Sequence, residues 1–356
     1  MTSRLSGSEV GSVANRRPVF ISGLYRSSST FVAAVLSCHP KFFAMSSAVK
    51  YLRFCFGKYC PIYEEKNVNT LIQETYCRVS KRWDIQFDIG LAKEIGIANG
   101  GGYAGFYDGV MTAILHRYAE KELEWTEKIA VMWSGIPAFL NMFPNGKVLH
   151  IHRDPRSVMA SYKKMTSEPG YAYLDTIFNF ISSVQHIKEY KKKYGDSRIM
   201  EIRSEDLLAN PECVLQEMCN FLDIEFASSM LDPNKYALVL GEPWNTNTSF
   251  GGKIIGFQKP HEKWREFLEP NEILFLETLT QPYLSELGYG GMRSGYPEAF
   301  DSNFKSFTLD KYIGSKLETY IKTGLGAEGY RSDPWMTEMK IVFPEKFEKV
   351  IKDKSE

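Results

Sequence analysis

The strongest constraint on this chain is a succession of short apolar runs separated by longer stretches of helical spacing. Pro18–Gly23, Phe42–Met45, Ile129–Trp133, Val148–His152 and Ile199–Ile202 are each too short for a stable helix and too apolar for a strand with one wet face. Between the first two, Phe31, Val32, Val35 and Leu36 repeat with the period of a helix. Short buried strands alternating with helices predict an α/β, three-layer fold: a central parallel sheet of about five strands flanked by helices on both faces. Met1–Arg17 is polar and reads as a flexible arm, and residues 18–290 form the main domain. Residues 49–128 form an aromatic-rich, helical insertion, and residues 291–356 form a C-terminal extension. The run Asn99–Tyr103 marks a loop, with a moving lid as the alternative. In the extension, Leu309, Tyr312, Ile313, Leu317, Tyr320 and Ile321 share one helical face that must pack on something, in this chain or in another.

The first strand and first helix are joined by Gly23-Leu24-Tyr25-Arg26-Ser27-Ser28-Ser29-Thr30. Unpaired N–H groups at a helix start, four hydroxyls and one arginine make a local anion site. A serine at Ser27 or Ser28 acting as a plain helix cap is the competing reading. The strand-loop-helix is P-loop NTPase-like, but the Gly-Lys-Ser/Thr of a nucleoside triphosphatase is missing. A second candidate follows the strand Val148–His152, where Arg153-Asp154-Pro155-Arg156 leaves the carboxyl end of the sheet and Ser161 lies along the next helix. An arginine fork and a hydroxyl suit a second phosphate; a surface Arg153–Asp154 pair is the alternative.

Charge sets the scale of such a ligand. With 43 Lys plus Arg against 43 Asp plus Glu, the chain has no long-range field for nucleic acid or an anionic membrane. A small anion held locally remains. The six cysteines, Cys38, Cys55, Cys60, Cys77, Cys213 and Cys219, are irregularly spaced and lack a CxxC pair, so free thiols and no zinc site are expected. There is no apolar leader and no run of about 18 apolar residues, which predicts a cytoplasmic protein. No His/Asp/Glu cluster has ligand spacing, so metal-independent chemistry is expected.

Taken together, the two loops resemble those of the sulfotransferase family, in its bacterial and tyrosylprotein-sulfotransferase-like branch. Tyr25-Arg26-Ser27-Ser28-Ser29-Thr30 is similar to that family's 5′-phosphosulfate loop, and His39-Pro40 follows in place. Arg153 and Ser161 match its 3′-phosphate motif. Arg203–Pro211, Phe221-Leu222, Ser249–Gly252 and Lys263–Leu268 are similar to later segments, so the likeness spans about Pro18 to Tyr289. The resemblance implies 3′-phosphoadenosine 5′-phosphosulfate (PAPS) as co-substrate and 3′,5′-adenosine bisphosphate (PAP) as product. It implies Arg26 as the catalytic basic residue, Ser27, Ser28, Ser29 and Thr30 around the 5′-phosphate, and Arg153 and Ser161 on the 3′-phosphate. Lys253 is a further nucleotide-binding candidate.

Three departures matter. Ser28 replaces a glycine, which demands strain if its φ is positive. Ser204 stands where an adenine-side tyrosine often appears. Trp133-Ser134-Gly135 replaces a Lys-Thr-Pro-like element, so a basic residue is missing there. The general base is also not evident: His152 and Glu64 are the candidates, against a buried structural histidine and a solvated carboxylate. The expected activity is sulfuryl transfer to a hydroxyl or amine of a small-molecule or saccharide acceptor. An ATP-dependent small-molecule kinase and a catalytically inactive nucleotide-binding protein are the alternatives.

Overall fold

Burial on both faces forces the central strand. In the computed structural model, which describes residues 13–119, 123–166, 170–236, 256–257, 263–290, 309–329, 331–332 and 334–345, β1 (Val19–Gly23) is buried along its whole length. It pairs in parallel with β3 (Glu124–Lys128) on one side and β4 (Lys147–His152) on the other. Outside these lie β2 (Phe42–Ser46) and β5 (Ile199–Arg203), giving a five-stranded parallel sheet in the order β2-β3-β1-β4-β5. The chain winds from β1 toward β2 and β3, then returns past β1 to β4, so the winding reverses beside β1. Ligands of such sheets collect at that reversal, above the carboxyl ends of the strands.

The helices are α1 (Ser29–Leu36), α2 (Tyr51–Phe54), α3 (Glu65–Trp83), α4 (Ile89–Ala98), α5 (Gly102–Tyr118) and α6 (Ile136–Met142). There follow α7 (Pro155–Met165), α8 (Asp175–Tyr194), α9 (Ser204–Ala209), α10 (Pro211–Leu222), α11 (Trp264–Phe267), α12 (Pro270–Glu286), α13 (Lys311–Thr323) and α14 (Pro334–Val342). The alternating strand positions Ile21, Leu149 and Ile151 pack on Val32, Val35, Leu215 and Met218 of α1 and α10. Phe20, Trp125 and Val148 pack on the other face against Tyr107, Phe139 and Phe180 of α5, α6 and α8. The three-layer α/β architecture expected from the sequence is present.

The third strand lies five residues before the expected Ile129–Trp133. Its charged residues hide it from a hydrophobicity reading, yet Glu127 and Lys128 are buried and hydrogen-bonded. Glu127 accepts from the Lys50 N–H, from the Tyr51 N–H at 3.3 Å and from the Tyr107 hydroxyl. The apolar run still follows β1, with the Ile129 N–H donating to Ile21 O at 3.0 Å and the Val131 N–H to Gly23 O at 2.9 Å. At Val131 φ reaches 52°, and no regular strand continues through a left-handed residue.

The loose arm expected for Met1–Arg17 gives way to structure from Val13: Arg16 donates to Asp108 Oδ2 at 3.2 Å and to Thr112 Oγ1 at 3.1 Å. The apolar face of α13 packs within this chain, Ile313 joining Phe178, Leu276 and Trp264 in one core. The glycine run after Asn99 is the turn of the α4–α5 hairpin, anchored by Asn99 Nδ2 on Asp108 Oδ2 at 2.6 Å. All six cysteines are free. Among the described residues no helix is long and apolar enough to cross a membrane.

Candidate active site

The first loop leaves β1 through Gly23, where φ is 154° and an added Cβ would lie 2.8 Å from the Ile151 carbonyl oxygen. A glycine is therefore required for the loop to pass over β4. Ser27 closes the loop on itself, its Oγ donating to Leu24 O at 2.8 Å. Ser28 has φ of 74°, confirming the strain that its replacement of glycine demands. Its Oγ lies 2.7 Å from Ser204 Oγ, the residue in the place of the adenine-side tyrosine. Ser29 and Thr30 open α1, whose first N–H groups have no partner within the helix.

The two loops meet. Arg26, itself at φ 64°, donates from Nε to Ser161 Oγ at 2.9 Å. Arg153 donates from Nη1 to the Arg26 carbonyl oxygen at 2.8 Å. The guanidinium of Arg26 is held below its ordinary pKa range by burial and then by the like charge of Arg153. Burial also lowers Arg153, against the opposing fields of Glu205 and Asp154. Two arginines crowded together at a strand end suit an anion, because an anion relieves both the repulsion and the desolvation. Arg156 is different. It is committed to Asp154 Oδ2 at 2.7 Å, Glu277 Oε1 at 2.9 Å and the Tyr289 carbonyl at 2.6 Å, and lies over the Trp264 ring.

The earlier position of β3 brings up a residue that sequence reasoning missed. Lys128 ends β3 and pairs across to Ile21 of β1 and Ser46 of β2, so its ammonium sits at the carboxyl edge of the sheet. It donates to Ser47 Oγ at 3.0 Å. Burial, followed by the fields of Lys50, Arg53 and Arg26, drives its pKa down to about 7. Lys50 is pushed down to about 8, chiefly by burial. A basic side chain is thus present beside the Arg26 loop although the Lys-Thr-Pro-like element is absent. Reading the charged run Glu124–Lys128 as the strand would have revealed it.

The base candidates are placed elsewhere. His152 is buried, with Nε2 2.6 Å from Glu201 Oε2, and its ring packs against His150. That ring is engaged with β5 rather than with the Arg26 loop. Glu64 stands exposed ahead of α3, accepting from Asn67 Nδ2 at 3.4 Å, and reaches no group of the anion site. Lys253 lies outside the described residues.

The sequence model of the family described as "Sulfotransferase family" matches residues 18–228, more than half of the chain and including both loops. The chain belongs to the sulfotransferase family. A curated relative, a putative protein-tyrosine sulfotransferase of Caenorhabditis briggsae, is 21% identical over 305 residues, covering 81% of this chain and 95% of the relative. Among solved structures, the sulfotransferase domain of the Synechococcus PCC 7002 olefin synthase is 18% identical, covering 78% of this chain and 98% of that one, with a TM-score of 0.49. Mouse sulfotransferase SULT7A1, complexed with PAP, is 14% identical over 88% of this chain and 94% of its own, with a TM-score of 0.39. Family membership makes sulfuryl transfer the general chemistry of this chain.

Proposed function

We propose that this sulfotransferase takes PAPS as donor and moves its sulfuryl group to a hydroxyl or amine of a small-molecule or saccharide acceptor. The observation that carries the reading is the convergence of Arg26, Ser161 and Arg153 from two loops onto one crowded cationic site. Arg153 and Ser161 would take the 3′-phosphate. The α1 start, with Ser28, Ser29 and Thr30, would take the 5′-phosphate, while Ser27 shapes the turn. Sulfuryl transfer needs an acceptor held in line and stabilisation of the charge that grows on the leaving phosphate oxygen. Arg26 is suited to that oxygen, and Lys128 adds a second positive charge from β3.

Calorimetric titration with PAP and with ATP tests the reading. Micromolar PAP binding with ATP at least tenfold weaker is expected. Binding of ATP but not of PAP would sink it in favour of a kinase.

A further inference from the structure

Two departures from the family pattern touch each other. Ser28 stands in the place of a glycine and Ser204 in that of a tyrosine, and their hydroxyl oxygens lie 2.7 Å apart. The sheet brings Ser204 to the site. β4 pairs with β5 in a register that sets His152 beside Arg203, so Arg153 and Ser204 leave neighbouring strand ends. Ser204 opens α9 and is fully buried, while Glu205 beside it accepts from the Asp154 N–H at 3.0 Å through Oε1. The start of α9 therefore braces both anion loops, the first through Ser204 and the second through Glu205.

The contact decides where the Ser28 hydroxyl points. A serine ahead of a helix ordinarily takes an extended conformation and caps, its Oγ accepting from the second or third N–H of the helix. Ser28 does neither. With φ 74° and ψ 10° it is left-handed, and its side chain makes no hydrogen bond to α1. Its backbone still joins the helix, the carbonyl oxygen accepting from the Val32 N–H at 3.1 Å. The preceding hydroxyl is also directed elsewhere, Ser27 Oγ donating to Leu24 O at 2.8 Å. Neither serine caps the first turn of α1. That is the state a 5′-phosphate needs, because a capping hydroxyl and a phosphate oxygen compete for the same N–H donors. A left-handed serine is unfavourable on its own and persists only where its surroundings hold it. Here the Ser204 hydroxyl, fixed by β5 and by burial, supplies that hold.

We infer that Ser204 is a positioning residue that holds the Ser28 hydroxyl away from α1 and so keeps the helix start open for the donor's 5′-phosphate. This rests on the PAPS reading above. Without the Ser204 hydroxyl, Ser28 relaxes to an ordinary serine conformation and turns onto α1, and the nucleotide must then displace that cap. Ser28→Gly removes both the hydroxyl and the steric objection to a left-handed backbone, and with them the need for Ser204.

The test uses the full chain, with PAP as the probe, titrated calorimetrically into wild type, S204A and S28G/S204A. PAP binding at least fivefold weaker is expected in S204A, with recovery to within twofold of wild type in S28G/S204A. Amide hydrogen exchange at Thr30 and Phe31, followed in the ligand-free chains, supplies a second readout. Exchange there should slow in S204A, because the Ser28 hydroxyl now caps those groups, whereas loss of a merely structural contact would quicken it. PAP binding in S204A within twofold of wild type would overturn the inference. So would a double variant as weak as S204A, or exchange in S204A no slower than in wild type. A wild-type chain that binds no PAP would remove the PAPS reading and with it the phosphate role of Ser204. The exchange rates separate that failure from a failure of the Ser28–Ser204 contact.

Discussion

At the scale of single residues, burial and committed partners separate arginines that look alike in sequence. Arg153 and Arg156 flank the same Asp-Pro, yet Arg156 is neutralised by Asp154 and Glu277 whereas Arg153 faces Arg26. Arg153→Ala should therefore weaken PAP by about 1.5–3 kcal/mol, the worth of a hydrogen bond to a charged group. Calorimetry would show it, and unchanged affinity would remove Arg153 from the site. Lys128 allows a different measurement. With its pKa near 7 and that of Lys50 near 8, both are partly neutral in mildly alkaline buffer. A bound anion raises an ammonium's pKa, so PAP binding at about pH 8 should draw protons from solution. Titrations in buffers of different ionisation enthalpy would measure that uptake. K128M should reduce it, with Lys50 supplying the remainder, and an undiminished uptake would place the anion away from β3.

At the scale of elements, four of the five strands were legible because their side chains are apolar on both faces, as a covered parallel sheet requires. The third was displaced because its burial is achieved through polar bonds: Glu127 is as hidden as any core residue, and nothing in local composition says so. That displacement also concealed Lys128, since a lysine read as preceding a strand points to the wrong edge of the sheet. The two loops were legible as loops, down to the strain at Ser28. The strain proves to be a property of the whole edge. Of the seven non-glycine residues with positive φ among those described, Arg26, Ser28, Ser47, Lys50 and Val131 all follow the carboxyl ends of β1, β2 or β3. Asp84 and Asp223 merely cap α3 and α10. Unfavourable backbone persists where surrounding contacts over-determine it, and here it coincides with the cationic site. The Ser28–Ser204 contact was not legible, because it depends on β5 lying two strands from β1 in the sheet.

At the scale of the whole molecule, equal numbers of acidic and basic residues conceal local arrangements: Arg26 and Arg153 crowd one sheet edge, while Asp175 and Glu277 are held in ion pairs. The C-terminal extension takes part in that pairing. Lys316 of α13 reaches Asp175 at the start of α8, and both side chains are nearly enclosed, with 12% and 9% exposure. Lys188 and Glu286 join α8 to α12 at 2.5 Å, but remain 48% and 41% exposed. Removing one partner of a buried pair costs about 3–5 kcal/mol, whereas exposed pairs contribute about 0–1 kcal/mol. K316M should thus lower the denaturant midpoint markedly, and K188M should leave it nearly unchanged. Equal midpoints for the two variants would mean that the extension is not anchored through Asp175. Its hold on the body would then rest on Ile313 and the apolar face around it.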